Sequence, residues 1–597
     1  MTNDQQASPL LGVDMSAAGR LWLSREIDER YVLAACQRLG VSDILARVLS
    51  ARDVPLSDIE SYLNPKLRDL LPDPLTLMSA DRAIERIVSA IVNKEKITVF
   101  GDYDVDGATS TSVLFRYFEN LGIEVDYYIP DRITEGYGPN IPAFEQIIAG
   151  GTKLVITVDC GTMSVAPLQY AKDNGLDVIV IDHHQTAETL PPACAVVNPR
   201  RQDDVSGLGH LAAVGVTFVV VVGLNRALRD LNFFTEIDEP DLLLLLDLVA
   251  LGTVCDVVPL TGLNRAFVVQ GLKVMSSTQN AGVKALAHAS KANPPFGTYE
   301  LGYMLGPRVN AGGRVGEARI GTDLLTTRDY EVATGLAMRL NDFNIERRSI
   351  EADVLAEARQ QIEEKVAQSN LTPPVLFASS QRWHPGVIGI AAGRLKDAYY
   401  RPSFVISFDE NGQGKGSARS ISGFDLGQAI TKAQQKGLIV AGGGHAMAAG
   451  ITITQEQLSD FEAYMADEFA DAAHFRVRQM TFDGVLAPQG ANRSLFDELQ
   501  MAGPFGAGNP EPSFVLPSVR ISYARIVGEG HVQCTIQDDG GGKLKGIAFN
   551  STEEAVRSLL MGHKGLIHLA GYLRADDWQG RRQTQFMIHD AVIARGA

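Results

Sequence analysis

Acidic residues and histidines follow three short apolar runs of the chain, at the point where each run ends. Asp102, Asp104 and Asp106 follow ITVF, Asp159 follows KLVITV, and the triplet DHH at 182–184 follows DVIVI. Clustered carboxylates repel one another and are costly to desolvate, so a bound cation usually neutralises their charge. Oxygen ligands with one or two imidazoles suit Mn²⁺ or Mg²⁺ better than zinc, whose structural sites favour thiolates.

The elements that would position these side chains are short strands separated by helix-length segments. Apolar β-branched runs spaced by roughly 20–30 residues predict parallel βαβ units, whose strands deliver their carboxyl ends to one ligand-binding edge. Asp256, in GTVCDVVPL after an apolar helix, is expected at the same edge. Two ions about 3.5–4 Å apart would form the two-metal clamp used for in-line hydrolysis of phosphate esters.

Simpler explanations remain open for the individual residues. An aspartate between a strand and a helix is often only an N-cap, and this explanation is strongest for Asp106, which could cap the following helix. Cys160 and Cys255 adjoin the candidate ligands but are expected to be small buried fillers. What favours chemistry is that three strands place such residues at the same topological position. A Ser-His-Asp hydrolase is disfavoured because the sequence contains no GxSxG motif, and the P-loop motif GxxxxGK[ST] is also absent.

Composition excludes several classes of protein. The 597 residues carry 54 Lys+Arg against 71 Asp+Glu, a net charge of −17, and are 45% hydrophobic and 21% charged. These values fit several globular domains and exclude wholesale disorder or a coiled-coil rod. The acidic balance argues against binding nucleic acid through the overall field, but leaves room for a local basic site.

The expected compartment is the cytoplasm. Five scattered cysteines without a CxxC pair give no disulfide framework, and the N-terminus lacks a basic region followed by an apolar one. The most apolar stretches, Leu211–Leu224 and Leu242–Leu251, are expected to be buried helices rather than membrane spans, because one is short and the other contains Asp247.

The predicted fold class is α/β, with a parallel-sheet domain, a second smaller α/β domain, a long helical connector and a C-terminal OB-like β-barrel. The expected boundaries are 1–90 for a tail and helical lead-in, 91–262 for the first α/β domain, 263–368 for the connector, 369–460 for the second α/β domain and 461–597 for the barrel.

Several ordered motifs resemble those of one family. GDYDVDG, TVDCG, the DHH triplet and GTVCDVVPL resemble the signatures of the DHH phosphoesterases, and GGGHAMAAG is similar to that of the accompanying DHHA1 domain. LGPRVNAGGRVGEA, LNDFNIERRSIE, HPGVIGIAAGRL and the β-rich C-terminus narrow the resemblance to the bacterial RecJ family over roughly residues 20–597. The resemblance implies a Mn²⁺- or Mg²⁺-dependent 5′→3′ exonuclease on single-stranded DNA, with two ions, that acts in recombination and mismatch repair.

The resemblance also implies roles for individual residues. His184 would face the scissile phosphate and, with Asp104 and Asp159, form the catalytic set. The implied metal ligands are Asp102, Asp104, Asp159, His183 and Asp256. The implied substrate contacts are Arg132, Ser417 and Arg419 at the 5′ phosphate, and Arg308, Asn310, Arg314 and His445 along the strand. Single-strand-binding protein and a RecQ-type helicase are the implied protein partners, and no membrane is expected.

The basic residues themselves support part of this picture. Residues 306–348 contain seven arginines and no lysine, and arginine presents a planar fork matched to phosphate oxygens. Arg308 and Arg314 lie among glycines, which favours phosphate binding, whereas ion pairing on a solvated helix explains the other arginines more cheaply. Phe505 and Tyr523 in the barrel could stack on bases, but each is more often a core residue.

Two other functions stay open. One is a DHH-family enzyme for very short oligoribonucleotides or cyclic dinucleotides; such enzymes are shorter and lack the barrel. The other is an inactive scaffold that only binds DNA or replication proteins, which the complete ligand set Asp102, Asp104, Asp159, His183 and Asp256 argues against.

Overall fold

The computed structural model describes residues 8–132, 134–470, 477–577 and 582–594. These residues form two compact units, one of 8–66 with 477–594 and one of 67–470. The strands are β1 (Arg20–Ser24), β2 (Ile97–Gly101), β3 (Val125–Tyr128), β4 (Leu154–Val158), β5 (Asp177–Ile181), β6 (Ala195–Val197), β7 (Leu376–Ser380), β8 (Ser403–Phe408), β9 (Gln413–Arg419), β10 (Ala441–His445), β11 (Ala448–Thr454), β12 (Arg478–Phe482), β13 (Gly484–Val485), β14 (Phe514–Val527), β15 (His531–Gln537), β16 (Lys543–Ala548), β17 (Ile567–Asp576) and β18 (Gln583–Ile593).

Helices connect most of these strands. They are α1 (Glu29–Leu39), α2 (Asp43–Ser50), α3 (Ile59–Leu63), α4 (Leu67–Leu70), α5 (Ala80–Val92), α6 (Val105–Asn120), α7 (Ile141–Ala149), α8 (Val165–Asp173), α9 (Ala213–Asp230), α10 (Leu246–Cys255), α11 (Gly262–Ser276), α12 (Ala281–Ser290), α13 (Gly306–Val315), α14 (Ile320–Thr326), α15 (Tyr330–Ser369), α16 (Ile388–Tyr399), α17 (Leu426–Gln435), α18 (Leu458–Glu468), α19 (Arg493–Gln500) and α20 (Glu554–Gly562). Short 3₁₀ turns cover Leu10–Gly12, Leu56–Asp58, Pro74–Thr76, Phe233–Thr235 and Leu242–Leu245, and a π-helical turn covers Glu300–Leu305.

The first sheet of the larger unit is wholly parallel, in the order β3-β2-β4-β5-β6. Every residue of β2 and β4 is buried, as expected for strands covered by helices on both faces. The predicted parallel α/β domain is therefore confirmed, and the carboxyl ends of its central strands lie at one edge.

Two apolar helices pack beside this sheet. α9 and α10 are buried over most of their length, because nearly every residue on their surfaces is apolar and neither offers a polar face to water. α10 places Asp256 at its C-terminus, against the edge of the sheet that carries the acidic residues. None of the helices within the described ranges combines the length and the apolar character needed to cross a membrane.

The second sheet of the larger unit is mixed, in the order β10-β11-β9-β8-β7. It follows α15, a helix of 40 residues that begins with Asp329 as its N-cap, where the Asp329 carboxylate accepts hydrogen bonds from the amides of Glu331 and Val332. The helical connector and the smaller α/β domain of the predicted fold class are thus both present.

The smaller unit contains a closed barrel. Strands β14, β15, β16, β18 and β17 pair in sequence, and β17 pairs back to β14, which removes open edges. The N-terminal segment belongs to the same unit: β1 pairs in parallel with β12. The lead-in is therefore not purely helical, because residues 20–24 form a strand that pairs with a distant partner. The five expected boundaries themselves stay a prediction.

Candidate active site

Three elements place carboxylates at the edge of the parallel sheet. Asp102 follows β2 directly, and Asp104 is the N-cap of α6, where its carboxylate accepts a hydrogen bond from the Gly107 amide at 3.1 Å. Asp159 follows β4 with a left-handed φ of 60°, a conformation that aspartate adopts more readily than most residues. Backbone strain of this kind concentrates at functional sites.

His183 lies at the centre of the acidic residues. Its Nε2 atom is 3.4 Å from an oxygen of Asp159, 3.6 Å from one of Asp256 and 3.8 Å from one of Asp106. Three sets of side chains each offer ligand atoms within 4.8 Å of one another: Asp102, Asp104 and Asp159; Asp106, His183 and Asp256; and Asp159, His183 and His184. All five metal ligands that the family resemblance implies therefore lie together.

Four buried atoms of this cluster have no hydrogen-bond partner among the described residues. They are one carboxylate oxygen each of Asp102, Asp159 and Asp256, and Nε2 of His183. Buried polar atoms without partners are rare and costly, since each loses its hydration without compensation. Converging carboxylate oxygens and a neutral imidazole nitrogen form a donor set that fits Mn²⁺ or Mg²⁺.

Burial and mutual repulsion disfavour the charged forms of these carboxyl groups. Burial, and then the neighbouring aspartates, raises the pKa of Asp102 and of Asp159 well above the ordinary value. The same causes raise the pKa of Asp106 and that of Asp256 to about 7. Without a cation the cluster thus retains protons near neutral pH, and a cation that binds there must displace them.

The tautomer of His183 follows from its hydrogen bond. Its Nδ1 lies 3.1 Å from the Leu211 carbonyl oxygen, which can only accept, so Nδ1 carries the proton and Nε2 presents a lone pair to the acidic cluster. Burial lowers the pKa of His183, which keeps the imidazole neutral. This is the state that a metal ligand requires.

His184 has the opposite character. Its Nδ1 is 2.8 Å from an oxygen of Asp182. Burial alone would lower the pKa of His184, but the hydrogen bond and the negative charge of Asp182 raise it to about 9. The ring is therefore an imidazolium at neutral pH, and with 41% of its side chain exposed it can donate to an anionic group.

Asp182 contacts the site through His184, although the sequence reasoning did not include it among the site residues. Its buried carboxylate also accepts hydrogen bonds from the amides of Thr162, His183 and His184. Burial would raise the pKa of Asp182, but the hydrogen bond from His184 and its positive charge hold that pKa below the ordinary range. The triplet supplied a signal, because an aspartate directly before two histidines can contact the second one.

Tyr137 is a second residue that the sequence did not single out. Its hydroxyl donates to the Asp159 carbonyl oxygen at 2.8 Å and lies 3.2 Å from Nδ1 of His184. The tyrosine thus fixes the backbone of one candidate ligand beside the imidazolium. Nothing in its sequence context distinguishes it from an ordinary loop tyrosine.

Asp106 does not cap the helix in which it lies. Asp104 is the N-cap there, and the Asp106 oxygens accept from the amides of Ala213 and Val214, at 2.7 and 2.9 Å. These amides begin α9, so Asp106 caps a different helix while its side chain faces His183. Its expected role as a cap of the following helix is wrong, because a distant helix N-terminus occupies both oxygens.

A cavity of about 480 Å³ beside this edge contains the residues predicted to hold a 5′ phosphate. Its lining includes Arg132, Ser417 and Arg419, together with Arg314 and Lys415, and no carboxylate among the described residues. Arg314 is held by a hydrogen bond from its Nη1 to the Gly386 carbonyl oxygen. Burial, and then the charge of Arg132, lowers the pKa of both Arg314, to about 10, and Arg419, so the cavity favours an anion.

A second cavity of about 450 Å³ contains the other predicted strand contacts. Arg308 and Asn310 line it together with Arg314. The Asn310 side-chain oxygen accepts from the Val105 amide at 3.2 Å and so ties this cavity to the turn that carries the carboxylates. His445 ends an exposed strand and lines neither cavity; its role as a strand contact stays a prediction.

The ion-pair explanation for the remaining arginines holds for Arg347, which pairs with Glu351, but not for Arg348, which forms no ion pair among the described residues. Arg328 pairs with Glu119, and Arg339 pairs with Glu317. Both arginines therefore form ion pairs on the surface of the helical region. Phe505 packs against the core of the smaller unit. Tyr523 is 58% exposed on β14, and a base contact there stays a prediction.

Comparison with known families agrees with this architecture. Three family models match the chain: the DHH family N-terminal domain at residues 96–253, the DHHA1 domain at 372–471 and the RecJ OB domain at 482–590. The first covers the parallel sheet and the acidic cluster apart from Asp256, and the second covers the mixed sheet.

Relatives extend over most of the chain. A single-stranded-DNA-specific exonuclease RecJ from Dickeya dadantii is 37% identical over 88% of this chain and 92% of its own, and that of Escherichia coli is 35% identical over 94% and 97%. The crystal structure of RecJ from Thermus thermophilus in complex with Mn²⁺ aligns with a TM-score of 0.79 at 28% identity, over 96% of this chain and 79% of that one. The chain belongs to the RecJ family.

Proposed function

We propose that this chain is a divalent-metal-dependent exonuclease that removes nucleotides from the 5′ end of single-stranded DNA. The observation that carries the proposal is the set of unpartnered buried ligand atoms on Asp102, Asp159, His183 and Asp256. Relatives named single-stranded-DNA-specific exonucleases, and relatives solved with Mn²⁺ and with Mg²⁺, support it.

In this proposal the chain holds the reacting groups in place. Asp102, Asp104, Asp159, His183 and Asp256 bind two cations, which would supply neutralisation of the phosphate charge and a more acidic water. The His184 imidazolium donates to an oxygen of the scissile phosphate and stabilises its developing charge.

The basic cavities hold the strand. Arg132, Ser417 and Arg419 bind the terminal 5′ phosphate, and the arginine forks give it a fixed orientation. Arg314 lines both cavities. It therefore contacts the DNA strand between the terminal 5′ phosphate and the nucleotides that follow it.

The experiment follows single-stranded DNA labelled at either end, with Mn²⁺ or with a chelator. We expect the 5′ label to be released as a mononucleotide and the 3′-labelled strand to shorten gradually, in both cases only with metal. Absence of Mn²⁺-dependent release would contradict the proposal, and initial release of the 3′ label would contradict the polarity.

A matched substrate set tests the short-substrate alternative. The same assay is run with a ribodinucleotide, a cyclic dinucleotide and a long deoxyribose strand, on the full chain and on residues 67–470 alone, which lack the barrel. We expect the full chain to prefer the long strand and the shortened chain to lose that preference. Preference of the full chain for a dinucleotide would favour the alternative.

A role in recombination and mismatch repair, a cytoplasmic location, and contacts with single-strand-binding protein and a RecQ-type helicase belong to the same proposal. They derive from the family resemblance alone. Co-purification of each candidate partner with the full chain, with and without DNA, tests the contacts.

A further inference from the structure

Two exposed tyrosine rings lie side by side at the start of the segment that carries Arg308. Tyr299 and Tyr303 are 58% and 74% exposed, and their ring centroids are 5.3 Å apart with planes inclined by 26°. Single exposed aromatic side chains are ordinary, but a stacked pair in water presents a contiguous π surface. Such surfaces bind nucleobases in proteins that hold single strands without sequence preference.

The ring pair lies on a segment that packs against the helix leading to Asp256. Tyr303 lies in the π-helical turn Glu300–Leu305, a geometry that often marks functional sites. Leu301 of this turn is buried, and its carbonyl oxygen accepts from Sγ of Cys255 at 3.4 Å. Cys255 immediately precedes the proposed ligand Asp256, so the turn packs directly against the end of α10.

The packing at this point leaves little freedom. A Cβ atom on Gly306 would lie 2.3 Å from Sγ of Cys255, so only glycine fits where the π-helical turn continues into α13. The backbone that carries the tyrosines is therefore packed closely against the end of α10, beside the acidic cluster.

Tyr303 also lines the cavity of about 450 Å³ that contains Arg308. Five arginines and a single carboxylate, that of Glu351, line this cavity among the described residues; the arginines are Arg308, Arg314, Arg347, Arg348 and Arg394.

The positive charge of the cavity is only partly neutralised. Glu351 pairs with Arg347 at 2.5 Å and with Arg394 at 3.3 Å. Arg308 bonds only neutral oxygens, the Asn341 side chain and the Met304 carbonyl group, and neither it nor Arg348 forms an ion pair within the described part of the chain. Unpaired arginine forks beside a stacked aromatic pair offer partners for a phosphate and a base together.

We propose that the Tyr299–Tyr303 pair and this arginine-lined cavity form a nucleotide-binding subsite for the DNA strand. One base stacks on the exposed face of Tyr303, and an adjoining phosphate binds Arg308 and Arg348. The inference rests on the proposed exonuclease function, in which Arg308 is already a strand contact, and adds to it the Tyr299–Tyr303 pair and Arg348. It also places a base contact on the larger unit, where the sequence pattern singles out no aromatic residue.

The first experiment scans the strand for this base. Binding of the full chain to a labelled 5′-phosphorylated single strand is measured by fluorescence anisotropy with a chelator present, and single abasic positions are moved along the strand. We expect one position at which loss of the base weakens binding roughly tenfold. Tyr303→Ala should bind the intact strand roughly tenfold more weakly and be insensitive to that abasic position.

The matched control is Tyr330→Ala, which removes an exposed tyrosine at the start of α15 outside the cavity lining. It should retain the wild-type affinity and the wild-type abasic profile. If Tyr303→Ala keeps the abasic sensitivity of the wild type, the base contact is refuted. Circular dichroism of both variants excludes misfolding as the cause of weaker binding.

The second experiment measures the phosphate contact. Arg348→Ala should lower the slope of log affinity against log salt concentration by about 0.7, the value expected when a single strand has one fewer phosphate neutralised by the protein. Arg359→Ala, an exposed arginine on the same helix outside the cavity lining, should leave the slope unchanged. Equal slopes for wild type and Arg348→Ala would refute the phosphate contact.

The two proposals fail differently. Absence of Mn²⁺-dependent hydrolysis by the wild-type chain would refute the exonuclease proposal. If the wild type degrades single strands but Tyr303→Ala and Arg348→Ala bind and degrade them as the wild type does, only the subsite is refuted. If the substitutions weaken binding of an acidic peptide but leave binding of DNA unchanged, the subsite is also refuted. The cavity is then identified as a protein-binding site.

Discussion

His183 and His184 are adjacent in the chain, yet their hydrogen-bond partners give them opposite charge states. The Leu211 carbonyl oxygen fixes the proton of His183 on Nδ1, and burial lowers its pKa, so a neutral nitrogen faces the carboxylates. The Asp182 carboxylate raises the pKa of His184 to about 9, so its ring carries a positive charge. One histidine is suited to a cation and the other to a phosphate.

This difference predicts the behaviour of Asp182→Asn. Loss of the negative charge should lower the pKa of His184, so the alkaline limb of the pH–rate profile should move from near pH 9 toward neutral pH. Turnover at pH 8 should fall while Mn²⁺ affinity changes little, because the Asp182 carboxylate contacts the ring of His184 and reaches the ligand His183 only at its backbone amide, which an asparagine oxygen can still accept from. Mn²⁺-dependent nucleotide release measured across pH tests this; the control is Asp173→Asn, an exposed aspartate on α8. An unmoved alkaline limb would contradict the role.

Asp159 permits a clean test of the metal cluster. Its φ of 60° is tolerated by asparagine but costs other residues about 1–2 kcal/mol, so Asp159→Asn removes charge with little strain, whereas Asp159→Ala adds strain. We expect Asp159→Asn to bind Mn²⁺ more weakly by roughly tenfold or more and to lose nucleotide release, with strand binding retained. Calorimetric titration with Mn²⁺ provides the measurement, and unchanged affinity would contradict the ligand assignment.

At the scale of elements, the turn from β2 to α6 is fixed by close backbone packing. A Cβ atom on Gly107 would lie 2.4 Å from the Asp102 carbonyl oxygen, so any side chain there must displace the backbone that carries the first ligand. Gly107→Ala should therefore weaken Mn²⁺ binding although glycine lies on a helix, where alanine is normally favourable by about 1 kcal/mol.

Gly335→Ala provides the matched control, because Gly335 lies on α15 with no atom within 4 Å of an added Cβ. It should raise the melting temperature slightly and leave Mn²⁺ binding unchanged. Isothermal titration and thermal unfolding of both variants make the comparison; equal Mn²⁺ affinities would show that the turn tolerates displacement.

The elements also show what the sequence could predict. Apolar runs such as DVIVI predicted strands correctly, because buried parallel strands are apolar on both faces, and their carboxyl ends then placed Asp102 and Asp159 at one edge. The sequence could not predict that Asp106 caps α9, because Asp106 is separated from Ala213 and Val214 by 107 and 108 positions in the chain. The Tyr299–Tyr303 pair was equally hidden, since its exposure depends on which face of the turn packs against α10.

At the scale of the whole molecule, a net charge of −17 coexists with two basic cavities. Part of the negative charge is concentrated in the acidic cluster, where bound cations would reverse the local sign. Arg308, Arg314 and Arg348 form no ion pair among the described residues and line these cavities, whereas Arg328 and Arg339 on the surface are paired with glutamates. The chain is thus built to bind an anionic strand in shaped sites and not through its overall field.

The acidic cluster also couples metal binding to the stability of the folded protein. Asp106 and Asp256 have pKa values of about 7 when folded against an ordinary value of 3.8, so the folded protein binds protons that the unfolded chain has released. Their contribution to stability is fully present below about pH 4 and is lost as the pH rises through 7. Cations stabilise the charged carboxylates and should restore what is lost.

We therefore expect the increase in Tm produced by Mn²⁺ to be larger at pH 8 than at pH 6, because at pH 6 protons compete with the cation for the carboxylates. Thermal unfolding with Mn²⁺ or with a chelator at both pH values measures the difference. Asp256→Asn removes one of the two groups with a pKa of about 7, so it should raise the Tm of the metal-free protein at pH 8 and reduce the effect of Mn²⁺ there. An increase in Tm that is the same at both pH values would show that the cation binds elsewhere, since carboxylates that hold protons cannot bind a cation without releasing them.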